Sequence, residues 1–84
     1  MSFTAKERLL LTRAFQAAWK ALLKDERVTA QNIERAPTML MEAIVEAAHT
    51  GERDELNLTA AAIARMTLYE HEARAAGIAQ DKLH

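Results

Sequence analysis

Apolar residues recur every three or four positions in three separate stretches of this chain, with polar residues in the opposite phase. In the first stretch Leu11, Phe15, Ala18 and Leu22 fall on one line at roughly 100° per residue, flanked by Ala14, Leu10 and Ala21. Trp19 lies at the edge of that stripe, and Lys6, Arg13, Lys20 and Lys24 gather on the opposite side. The stripe is too wide for a two-stranded seam, so this helix should touch two neighbours. Thr4-Ala5-Lys6-Glu7 has the order of a capping box, in which hydroxyl and carboxylate each accept the other residue's amide. These signals predict a helix over residues 4–24, followed by a short polar connection, Asp25-Glu26-Arg27-Val28.

The second stretch runs from a start signal at Thr29 to a stop signal at Gly51 and contains the only proline, Pro37. Asn32 stands where a full capping box would have Glu or Gln. In a helix interior proline removes a hydrogen bond and clashes with the preceding turn, at a cost of about 3 kcal/mol. Ile33, Leu40, Ile44 and Ala47 nevertheless keep one helical phase through it. Two structures are compatible with that pattern: one helix over 30–50 kinked at Pro37, or a short helix over 30–35, a break, and a second helix from Pro37. Proline is welcome at the first helical position, and the residue before it is biased away from helix. The unbroken phase favours the kinked helix.

Asp54 is a candidate N-cap for the third stretch, a helix expected over 55–76. Its apolar side gathers Leu58, Ala62, Ile63, Met66, Tyr69 and Ala73, with Leu56 at one edge. Asn57, Arg65 and Glu72 line the far side, and Leu68 points away from the core. Gly77 reads as a C-cap, Ile78 as its hydrophobic contact, and residues 79–84 as a frayed tail. The expectation is a single all-α domain over residues 1–84, a three-helix bundle packed up-down-up.

Composition adds a constraint on assembly. Half of the 84 residues are hydrophobic, with two glycines, one proline and no cysteine. A core this small rarely supplies more than about 3–5 kcal/mol, and disulfide staples and thiolate zinc sites are excluded. Oligomerisation is the staple left over. Leu10, Trp19, Met39 and Leu68 put apolar surface on more than one helix face, and abundant alanine lets helices approach closely. A homodimer is therefore expected.

Charge narrows the function classes. The net charge is −1, but residues 1–27 hold six basic and three acidic side chains, while residues 28–84 hold five and nine. The two segments are thus +3 and −4. The ridge Lys6, Arg13, Lys20 and Lys24 could track phosphates, although no aromatics interleave with it and the overall charge is slightly negative. Glu46-Ala47-Ala48-His49 spells Glu-x-x-His, the unit that di-iron bundles use twice, with Glu42 one turn earlier. One such unit per chain would need a dimer to complete a site, and Glu42, Glu46 and His49 fall opposite the apolar phase, where a solvated face is expected. Glu70-His71-Glu72 reads as solvated surface, because adjacent helical residues diverge by about 100°.

Catalysis has little support. Ser2 is the only serine, there is no Gly-rich phosphate loop, and no cofactor is implied. Trp19 and Tyr69 are either core edge or interface anchors. Met39, Met41 and Met66 could form an adaptable partner surface, the alternative being core filler. No apolar run reaches the roughly 18–20 residues that span a bilayer, and Met-Ser-Phe-Thr-Ala-Lys-Glu-Arg lacks the order of a signal peptide. The expected protein is cytoplasmic and non-enzymatic, a helical interaction module that binds itself and a protein partner through Leu10, Trp19, Met39, Leu68 and Tyr69. A nucleic-acid-associated protein using the basic ridge is the alternative, and metal–carboxylate chemistry across a dimer the remotest one.

Overall fold

The three periodic stretches form three helices, α1 (Ala5–Lys24), α2 (Ala36–His49) and α3 (Glu55–Asp81). The computed structural model describes residues 2–81, with side chains to residue 76, and no strand occurs among them. The helices run up, down, up. Glu7 at the start of α1 pairs with Arg53 just before α3, and Arg27 past the end of α1 reaches Glu70 far along α3.

Three of the caps are those the sequence signals. Thr4 and Glu7 close a complete capping box, with the Glu7 amide donating to the Thr4 hydroxyl at 3.1 Å and the Thr4 amide to the Glu7 carboxylate at 2.8 Å. The Asp54 carboxylate accepts the amides of Leu56 and Asn57 at the start of α3. Gly51, at φ 102°, takes the positive φ past the end of α2.

Three expectations need correction. The kinked helix over 30–50 does not form: residues 30–35 are turns, and α2 begins at Ala36 with Pro37 in its first turn. There the missing proline N–H costs nothing, because the first amides of a helix have no intrahelical partner. The phase that argued for continuity was misleading, since Ile33 is 51% exposed. The connection after α1 is accordingly longer than expected, spanning residues 25–35. Lastly, α3 passes through Gly77 and continues to Asp81, five residues beyond its expected end. A single helical glycine costs only about 1 kcal/mol. The expected contact of Ile78 lies outside the described side chains, and the end of the tail, residues 82–84, outside the described residues.

The core is a column of small and large side chains in alternation. Leu11, Ala14, Ala18 and Leu22 come from α1, Leu40, Ile44 and Ala48 from α2, and Leu58, Ala62 and Met66 from α3. Leu22, Leu40, Ile44, Leu58 and Met66 are completely buried, each worth about 1.5–3 kcal/mol of transfer free energy. The buried alanines let the three helix axes come close without leaving voids. Met66 is thus core, not part of an adaptable surface. Ala73, expected on the core side, is exposed, as is every side chain from His71 to Ala76. At 1.5 Å per residue α3 is about 40 Å long against about 30 Å for α1, so its last turns outrun the partners they would pack on.

Candidate interaction surfaces

Because α2 starts at Ala36, its turns present two apolar flanks beside the buried Leu40–Ile44 line. On the α1 side, Pro37, Met41 and Val45 stand at i, i+4 and i+8 and share a groove with Phe15. Phe15 stacks on Trp19, ring centroids 6.1 Å apart and planes 10° from parallel, which extends the groove along α1. Only Thr38, Glu42 and Glu46 add polar atoms to it, on the α2 side. Lys20 and Gln16 stand beside Trp19 on the α1 side. All five apolar side chains of this face are half-buried, and Phe15, Trp19 and Val45 pack on the core with one side.

The α3 side of α2 is different. Met39, Leu68 and Tyr69 meet there, but among Glu34, Arg35, Glu42, Arg65 and Glu72. Arg65 crosses to α2 and donates to the Glu46 carboxylate. The second groove is therefore lined by charge, with Leu68 left 52% exposed.

These positions redistribute the residues singled out as interface anchors. Met39, Leu68 and Tyr69 come together in one groove. Trp19 belongs to the opposite flank of α2, and Leu10 lies apart, in a hollow with Lys6, Glu7, Leu9, Arg13 and Arg53. Sequence reasoning passed over Phe15 and Val45 as surface residues. Phe15 sits on the apolar stripe of α1 and so reads as core. The signal that could have found the face was the i, i+4, i+8 row from Pro37, which is legible only once the helix is taken to start there.

The ridge residues Lys6, Arg13, Lys20 and Lys24 are all exposed, and no ion pair engages them among the described residues. Leu9 and Leu23, about half exposed, share that outer surface of α1. Glu42, Glu46 and His49 are exposed too, but are turned to different neighbours: Glu46 to Arg65, and the His49 ring to Phe3, 5.1 Å between centroids. Among the described residues no three His, Asp or Glu side chains stand close enough to hold a metal ion. Glu70 is not simply solvated surface. Its carboxylate accepts Nε and Nη2 of Arg27, both side chains being about three-quarters buried.

The groups with displaced pKa values sit at the two ends of the bundle, away from both grooves. The hydrogen bond from Arg27 holds Glu70 below the usual carboxylate range, and Glu70 in turn raises Arg27. Glu7 is lowered first by the Thr4 amide and then by Arg53. These are clamps between helices. No family model matches the chain, and no match was found among curated proteins or among solved structures.

Proposed function

We propose that the chain is a non-enzymatic helical interaction module that associates with itself and with a protein partner. The observation that carries this reading is the half-buried apolar face of Phe15, Trp19, Pro37, Met41 and Val45, which the chain's own helices leave uncovered. Covering apolar surface is favourable by about 25 cal/mol per Å². Aromatic and methionine side chains are also the types enriched where proteins meet.

Among the described residues no helix is long and apolar enough to cross a membrane. The reading carries a cytoplasmic location with it, because a secreted domain of this size is usually stapled by disulfides and this chain has no cysteine. Sedimentation equilibrium at micromolar concentration tests self-association: a dimer mass is expected, and a monomer mass throughout overturns it.

A second reading, association with nucleic acid, draws on the exposure of all four ridge cations. Phosphate contacts are strongest at low salt. Failure to bind either DNA or RNA at low ionic strength removes this alternative.

A further inference from the structure

The self-association reading leaves open which face is used and in what orientation, and charge decides both. We propose that the apolar α1–α2 face is the docking site for a second copy of the chain, with α1 of each copy seated antiparallel over α2 of the other about a twofold axis running along the helices. The proposal rests on the self-association reading above and specifies its geometry.

Two helices lying side by side can meet their own copy in two ways. An axis across the helices stacks α1 on α1 and α2 on α2. An axis along them stacks α1 on α2 of the partner, in the antiparallel sense the two already have within one chain. A twofold interface is self-complementary, so each choice dictates which charges meet. The α1 edge of the face carries Lys20; the α2 edge carries Glu42 and Glu46. Stacking like on like would oppose cations with cations and carboxylates with carboxylates. Stacking α1 on α2 opposes them with opposite sign.

Height along the bundle agrees with the second arrangement. Lys20 lies four residues before the end of α1 and Glu42 six after the start of α2, placing both about 6–9 Å from the same end of the bundle. An axis along the helices preserves height, so Lys20 meets Glu42, twice per dimer. Glu46 already accepts Arg65, whereas Glu42 has no ion-pair partner among the described residues. The α2–α3 groove lacks this property, because both signs of charge already line it within one chain.

The experiment measures the dimer dissociation constant by sedimentation for wild type, Met41→Glu, Lys20→Glu, the double variant Lys20→Glu/Glu42→Lys, and Leu68→Glu. Circular dichroism monitors helicity throughout. Met41→Glu should raise the constant about a hundredfold or more, since it buries two unpaired carboxylates. Lys20→Glu should raise it about tenfold through its two symmetric contacts, and adding Glu42→Lys should restore it. Leu68→Glu should leave it unchanged. If Met41→Glu loses helicity, the Lys20–Glu42 pair decides: restoration supports the arrangement, and no restoration overturns it. A dimer that tolerates Met41→Glu and Lys20→Glu but is broken by Leu68→Glu overturns this face while self-association stands. A wild-type chain that stays monomeric overturns both.

Discussion

The two connections of the bundle end their helices in the same way with different residues. After α1 the Glu26 amide donates to Leu23 O and the Arg27 amide to Leu22 O; after α2 the Gly51 amide donates to Ala48 O and the Glu52 amide to Ala47 O. Both are Schellman caps, which need a left-handed residue just past the helix. The second supplies glycine, at φ 102°, and the first a glutamate at φ 58°. An L side chain in that region costs about 1–2 kcal/mol. The strained cap belongs to the better anchored connection. Asn32, 7% exposed, accepts the Thr29 amide at 2.8 Å and donates from Nδ2 to Arg27 O at 3.0 Å. Arg27 itself reaches Glu70 and Thr67 on α3. Backbone and side chain of one arginine thus tie the end of α1, the turns before α2 and the flank of α3 together. The second connection has its own arginine, but Arg53 is 42% exposed and binds Glu7, the carbonyls of Ala48 and Glu52, and the Phe3 ring face. A side-chain network can hold a conformation that the local sequence disfavours, whereas a glycine reaches it unaided.

The contrast can be broken most sharply at Asn32. Asn32→Ala removes both of its hydrogen bonds and leaves a part-buried carbonyl and amide without their partner, a loss of about 2 kcal/mol in urea unfolding. A loss below about 0.5 kcal/mol would show that water replaces it.

Arg27→Ala should cost about 1–2 kcal/mol and Arg53→Ala less than about 1, since solvent screens the more exposed pair. The Arg27 pair also predicts a pH dependence. Glu70 is held below its ordinary pKa chiefly by the Arg27 hydrogen bond, so folding favours its ionised form. The stabilisation is full above about pH 5 and is lost as pH falls through the lowered value. The urea midpoint of wild type should therefore drop more steeply on acidification than that of Glu70→Gln. Equal slopes would mean the pair does not matter for stability.

The smallest effects compare the caps directly. Gly51→Ala should destabilise by about 1 kcal/mol, a conformational cost alone, because a Cβ there meets nothing within 4 Å. Glu26→Gly should stabilise by about 0.5–1 kcal/mol by relieving the left-handed strain. A destabilised Glu26→Gly would show that the Glu26 side chain has a role beyond the cap.

Periodicity made three helices and most of their buried residues legible, because a 3.6-residue repeat of apolar side chains needs no partner to be seen. The caps at Thr4, Asp54 and Gly51 were legible for a similar reason, since they act within a few residues. Pro37 misled because phase continuity and a fresh helix start predict the same apolar positions on either side of it. Asn32 gave only a partial signal, standing at the fourth position of an incomplete capping box. The apolar face was the least legible feature. Phe15 lies on the core stripe of α1, and nothing local distinguishes a residue that the third helix covers from one it leaves open.

What the sequence determined by itself was therefore local: the helical class, the number of helices, the caps at Thr4, Gly51 and Asp54, and most of the residues facing inward. The tertiary structure decided where α2 begins, which strained cap is held, and that Arg27 and Glu70, 43 positions apart, form one clamp. It also decided which flank of α2 stays open. The physical reason is range: hydrogen bonds within a turn and side-chain period are set by neighbours in sequence. Burial and ion pairing across helices depend instead on which surfaces a third helix covers.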